Sequence, residues 1–225
     1  MRAKLTAEFV GTFFLVLTVG LTALVGTAFA PVAIATVLTA MIYATGHVSQ
    51  AHFNPTITLA FWLRGTFPAR QVGPYVAVQV AAATLAALAA YGVTGDVLVV
   101  APAAETSRAS FLLLELLFTF ALALVILNVA TAPGLEGNEV YGLAIGFVVL
   151  GGAYAAGPIS GGAFNPAVAL GPVLVDLAVG DGLSVAGLWI YLVATSAGAA
   201  LAVPVFRWMN PADRPGNEPR PARGA

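Results

Sequence analysis

The chain contains no cysteine, which excludes disulfides, thiolate metal sites and cysteine nucleophiles. It is also poor in charge. Only 8% of its 225 residues are Asp, Glu, Lys or Arg, against about 25% in a typical soluble domain. A soluble fold of this size could not cover itself with so few charges. The net charge of −1 offers no basic face for nucleic acid. Two histidines, His47 and His52, lack the further ligands that a metal site needs, and no cofactor is expected. No Ser/His/Asp set, Gly-rich phosphate loop or paired catalytic carboxylates emerges, so the chain does not read as an enzyme. Apolar sequence is what it has in abundance: 60% of residues are hydrophobic and the mean hydropathy is +0.94. That is the composition of an integral membrane protein.

Six long apolar segments fall at about 5–28, 31–50, 69–92, 109–131, 139–157 and 183–206, each near the ~20 residues that span a bilayer. The first is too long for a signal peptide, Glu8 interrupts it and no cleavage site follows, so it reads as a retained transmembrane helix. Six spans put both termini on one side. Arg2, Lys4, Arg64, Arg70, Arg207, Arg214, Arg220 and Arg223 share that side and only Arg108 lies opposite. The positive-inside rule makes it cytoplasmic, in a multi-pass protein of the cell membrane. From about 207 the chain turns rich in Pro and charge and is expected to be a disordered cytoplasmic tail. A single domain is thereby predicted over 1–206.

Two shorter apolar pieces, about 55–63 and 166–177, each follow an Asn-Pro dipeptide. At ~1.5 Å per residue, nine helical residues reach less than half of a ~30 Å hydrocarbon core. Asparagine is a favoured N-cap and proline a favoured first helical residue, so each dipeptide starts a helix inside the membrane. The phrases containing them, HFNPTITLA and AFNPAVALG, correspond. Asn54 and Asn165 are 111 residues apart, and Glu8 and Glu115, each opening an aromatic-rich span, are 107 apart. The chain is thus a 3+3 repeat with halves at about 1–100 and 101–206. Three spans per half is odd, so the second half is inverted relative to the first, an arrangement that puts a transport pathway at the bilayer midplane. The fold predicted is an all-α membrane protein with six transmembrane helices and two re-entrant half-helices. The residues before each asparagine must be irregular backbone, tolerable at that depth only against protein or a water-filled cavity.

The paired Asn-Pro motifs, the paired glutamates, GHVSQAHFNP at 46–55 and GPISGGAFNP at 157–166 strongly resemble the aquaporin, or major intrinsic protein, family. The resemblance covers roughly residues 1–206. It implies a narrow pore in each subunit of a homotetramer in the lipid bilayer. The two motifs would be Asn54-Pro55-Thr56 and Asn165-Pro166-Ala167. The first departs from the usual Asn-Pro-Ala. Carbonyls of Gln50, Ala51, His52 and Phe53, and of Gly161, Ala163 and Phe164, would line the pore as acceptors. The amides of Asn54 and Asn165 would donate to a passing oxygen and break a proton-conducting chain. Glu8, Glu115 and His47 would support the re-entrant loops, although intramembrane carboxylates can equally serve as a proton relay. Gln79 reads as a polar group in helix packing.

The resemblance also implies a four-residue filter near the outer mouth. Counted from the asparagines, it falls on Ile34, Ala153, Gly162 and Val168. Water-selective members usually place Phe, His, a small residue and Arg there. Glycerol-conducting members tend to follow the Arg with Asp, where this chain has Ala169. All four positions are apolar here, which should widen the constriction and remove its donors. The expected function is a passive channel for water and small uncharged solutes of the glycerol, urea, ammonia or hydrogen peroxide type, excluding ions and protons. A water-dominant channel, a proton-coupled transporter using Glu8 and Glu115, and a closed structural protein remain open at this point.

Overall fold

The computed structural model of the protein describes residues 1–211. Among these the chain is all-helical, with six long and two short α-helices and a 3-10 turn at Pro133–Leu135. The long helices are α1 (Arg2–Val25), α2 (Ala30–Ser49), α4 (Ala69–Thr94), α5 (Arg108–Thr131), α6 (Tyr141–Ser160) and α8 (Val185–Met209). Their 20 to 26 residues give lengths of about 30–39 Å at the helical rise, enough to cross a bilayer. The short helices, α3 (Pro55–Arg64) and α7 (Pro166–Val179), reach only about 15 and 21 Å. The end of the last helix needs correcting. It runs through Arg207–Met209, so the expected tail cannot begin at 207, and the remainder of that tail, from 212, lies outside the described residues.

Local chemistry sets the ends. Pro31, Pro55 and Pro166 sit in first turns, where a missing N–H costs nothing. The Ser107 hydroxyl caps α5 by accepting from the Ser110 amide. Helix α1 stops at Gly26, whose left-handed φ of 71° turns its N–H onto the carbonyls of Thr22 and Ala23, a conformation that glycine adopts without Cβ strain.

The two halves use the same pairings. Helix α1 packs on α2 and α4, as α5 packs on α6 and α8. Helices α2 and α6 cross between the halves. Small residues permit the approach: a Cβ on Gly142 would lie 2.8 Å from the Tyr43 ring, and one on Gly146 would lie 2.0 Å from the Thr39 hydroxyl. The short helices are exchanged, α3 packing on α8 of the second half and α7 on α4 of the first. Each half therefore completes the other's core, and neither short helix has a full set of neighbours within its own half. At Gly11, a Cβ would lie 2.0 Å from the Phe53 ring, so glycine on α1 admits the residue that precedes the first Asn-Pro.

Two connections on the face opposite the N-terminus are tied down. In the 95–107 segment, the Ala103 amide and the Thr106 hydroxyl both donate to the Ile159 carbonyl, at 3.0 and 2.8 Å. Leu98 and Val100 are buried by this docking. At the far end of α7, the Asp176 carboxylate accepts from the amides of Gly182 and Ser184 and holds the turn into α8.

Candidate functional site

Each Asn-Pro is a helix N-cap within the bundle. The Asn54 Oδ1 accepts from the Thr56 amide and the Asn165 Oδ1 from the Ala167 amide, both at 2.9 Å. Each cap is near fully extended, with φ of −154° and −156°. The amide nitrogens reach across the repeat. Asn54 Nδ2 donates to the Phe164 carbonyl and Asn165 Nδ2 to the Phe53 carbonyl, both at 2.9 Å. The starts of the two half-helices are thus joined by a reciprocal pair of hydrogen bonds. A side-chain amide has two N–H donors, so each asparagine keeps one for the space beside it. The copies differ at the third motif position: the Thr56 hydroxyl makes a second bond to Asn54 Oδ1, at 2.8 Å, which Ala167 cannot make. Asn54 is therefore held by one more bond than Asn165.

The backbone ahead of each asparagine runs through left-handed conformations at matched positions. In the first copy these are Gln50, Ala51 and Phe53, and in the second Gly161, Gly162 and Phe164. Non-glycine residues seldom adopt positive φ and persist there when their surroundings over-determine it. The surroundings are the two glutamates, both fully buried. Glu8 Oε1 accepts from the Ser49 hydroxyl (2.7 Å) and the His52 amide (2.9 Å), and Oε2 from the Phe53 amide and Gln79 Nε2 (both 2.8 Å). Glu115 Oε1 accepts from the Ser160 hydroxyl (2.7 Å) and the Ala163 amide (3.2 Å), and Oε2 from the Phe164 amide (2.8 Å). The serines take one more amide each, Ala51 to Ser49 and Gly162 to Ser160. Tyr75 and Tyr191 donate to the carbonyls of the same two serines, at 3.0 and 2.6 Å.

The N–H groups of Gln50 and Gly161 close the preceding helices on Gly46 and Gly157, the others are spent on the glutamates and serines, and these stretches turn carbonyls the other way. Among the described residues, no protein group donates to the carbonyls of Gln50, Ala51 and His52 or of Gly161, Gly162 and Ala163. A cavity of about 360 Å³ is lined by Ala51, His52, Phe53, Gly161, Gly162, Ala163, Phe164, Asn54 and Asn165. The same cavity is lined by Ile34, Ala153, Gly162 and Val168, so the four positions counted from the asparagines face one space. Leu98, Val99, Val100 and Ala101 line it on the face opposite the N-terminus. A second cavity of about 610 Å³, lined by Gly46, His47, Gln50, Thr66 and the 132–138 connection, opens toward the N-terminal face. Ile42, Ala51, Ile126 and Ile145 line both, so the two cavities abut.

Several side chains sit elsewhere than sequence reasoning put them. His47 is exposed, lines the second cavity and, among the described residues, makes no side-chain hydrogen bond. The first loop is held instead by Glu8, Ser49 and Tyr75. Gln50 likewise belongs to the second cavity. The carbonyls of Phe53 and Phe164 are each engaged by the opposite asparagine. His52 turns its ring away from the pore to pack on Phe61, Phe67 and Tyr75, with Nδ1 3.1 Å from the Thr58 hydroxyl. Gln79 is a partner of Glu8 more than a packing group, and it also donates to Thr58 at 3.2 Å. Ser49 and Ser160 were missed. Their signal was available: they are 111 apart, the same offset as the asparagines.

Similarities to known proteins agree with this geometry. The model of the family described as Major intrinsic protein matches residues 1–206. Aquaporin NIP3-1 of Oryza sativa subsp. japonica is 39% identical over 236 residues, covering 99% of this chain and 73% of that protein. Aquaporin NIP1-2 of Arabidopsis thaliana is 37% identical over 229 residues, covering 94% and 76%. The X-ray structure of the aquaglyceroporin from Plasmodium falciparum has the same fold, with a TM-score of 0.80 at 22% identity, covering 91% of this chain and 95% of that one.

Proposed function

The chain belongs to the major intrinsic protein family, and from that premise we propose that it is a passive channel for water and small uncharged solutes with a wide, apolar filter. As a member of this family it is a membrane channel and not an enzyme. The observation that carries the finer reading is the pair of reciprocal asparagine bonds beside bare carbonyls. A water molecule at the centre accepts the free N–H of Asn54 and of Asn165. Its own hydrogens then point away along the two carbonyl runs, so no hydrogen-bonded chain crosses with one polarity. The N-termini of α3 and α7 carry partial positive charge toward the same point and repel cations. Ile34, Ala153, Gly162 and Val168 bring no side-chain donor to the mouth, which admits solutes larger than water. In this reading the channel unit is 1–206, built from halves at about 1–100 and 101–206. The unit forms a homotetramer in the cell membrane, with both termini in the cytoplasm, as the clustered arginines on the N-terminal face favour.

The test is stopped-flow light scattering of proteoliposomes with water, glycerol and urea side by side, alongside a pH-sensitive dye inside the vesicles. Water and at least one solute should exceed protein-free vesicles, without saturation and without acidification. Saturating flux or dependence on a proton gradient would point to a transporter. No flux of any kind would point to a closed structural protein.

A further inference from the structure

Polar groups in the first cavity are unevenly divided between donors and acceptors. Thr22, His52, Asn54 and Asn165 are the polar side chains among its lining residues. The Thr22 hydroxyl is donated to the Thr18 carbonyl at 2.6 Å, and the His52 ring is turned into the aromatic cluster. The backbone N–H groups of Ala51, His52, Phe53, Gly162, Ala163 and Phe164 are spent on the glutamates and serines. The side-chain donors left for a solute are the two asparagine N–H groups at the centre. Acceptors are plentiful: the bare carbonyls on each side of the centre form one rail, because the asparagine bonds join the two stretches end to end. Ile34, Ala153 and Val168 make one wall of the mouth hydrocarbon, and the backbone of the Leu98–Ala101 stretch, also at the mouth, is a further source of donors and acceptors.

We propose that this pore favours solutes with N–H or O–H donors on one edge and hydrocarbon on the other, meaning short-chain amides and N-alkylated ureas, over urea and polyols of similar size. The inference rests on the channel reading above. A primary amide lays its N–H groups on the carbonyl rail, turns its alkyl end to the apolar wall and offers its oxygen to the asparagines at the centre. Urea is nearly isosteric with acetamide but puts a second NH₂ where acetamide has a methyl group. Against the side chains of Ile34, Ala153 and Val168 that group loses its water and gains no acceptor. A polyol loses partners on the same wall for each hydroxyl that cannot reach the rail. A site that leaves one polar group unmatched in this way discriminates by about ten- to a hundredfold.

The experiment compares acetamide with urea by stopped-flow light scattering of proteoliposomes, with the protein-free vesicle rate subtracted for each solute and water measured in the same vesicles. The channel-mediated ratio of acetamide to urea should be about ten or more. Val168→Thr keeps the side-chain size and adds one hydroxyl to the wall, and it should lower the ratio several-fold. Val168→Ala widens the wall without adding polarity and should not lower it. Ile34→Thr makes the same polar change from α2 and covers the case in which the Val168 variant fails to insert. Urea carried as fast as acetamide by the wild-type protein would overturn the inference. So would a ratio that Val168→Thr and Ile34→Thr leave in place, or one that Val168→Ala lowers equally. In all of these the water flux persists and the channel reading stands. Absence of water flux and of both solute fluxes would instead overturn the channel reading.

Discussion

Glu8→Ala should cripple the protein and Glu8→Gln should not, and the difference follows from the bonds at one carboxylate. Glu8 accepts four hydrogen bonds, from Ser49, His52, Phe53 and Gln79. With alanine, the amides of His52 and Phe53 lose their acceptor in a dry site. Each orphaned buried donor costs about 1–3 kcal/mol, so the pair costs about 2–6 kcal/mol before any cavity is counted. Gln79 is spared, because its amide still reaches Thr58 at 3.2 Å. Set against a total stability of about 5–15 kcal/mol, the loss is enough to prevent accumulation of folded protein. Glutamine can point its oxygen at Phe53 and Gln79 and its NH₂ at the Ser49 hydroxyl, which can turn to accept. Only the His52 amide then goes without, for about 1–3 kcal/mol. The same reasoning at Glu115 orphans Ala163 and Phe164 in the alanine variant and Ala163 alone in the glutamine variant. The assay is thermal aggregation followed by size-exclusion chromatography in detergent, with water permeability normalised to inserted protein. A Glu8→Ala protein as stable as wild type would refute the supporting role. A Glu8→Gln protein that folds and inserts normally but carries no water would make a proton relay the better account.

Two further predictions follow from the central residues. Val168→Arg adds a long side chain with a fixed charge beside Gly162 and Ala153, so the ratio of urea or glycerol permeability to water permeability should fall; an unchanged or higher ratio with equal insertion would mean that Val168 does not govern the constriction. Thr56→Val removes the 2.8 Å bond to Asn54 Oδ1, worth about 0.5–1.5 kcal/mol. It should raise proton leak relative to water flux as the Asn54 amide loosens, while Thr56→Ser restores tightness. A proton-to-water ratio equal to wild type in Thr56→Val would show that the hydroxyl merely satisfies itself.

The sequence by itself determined the number and kind of the elements. An apolar run of ~20 residues has one low-energy fate in a bilayer, a helix that satisfies its own backbone, and the six spans lie within three residues of where hydropathy put them. Asn-Pro ahead of a short apolar run specified the starts of α3 and α7, because capping is a local interaction between residues two apart. The odd number of spans per repeat dictated inversion. The tertiary structure alone decided what those elements hold. The exchange of α3 and α7 between halves, the Asn54–Phe164 and Asn165–Phe53 bonds, and the partners of Glu8 link residues separated by 41 to 112 positions. No periodicity encodes such a pairing, since it depends on which faces the folded helices turn to one another. Gln79 illustrates the limit: as a lone polar residue in an apolar run it reads as packing, and only the arrival of Glu8 and Thr58 beside it makes it part of the loop's support. His47 and His52 illustrate it again. Five residues apart and alike in type, they separate because the chain leaves α2 between them, so that one faces an open vestibule and the other is shut among aromatic rings.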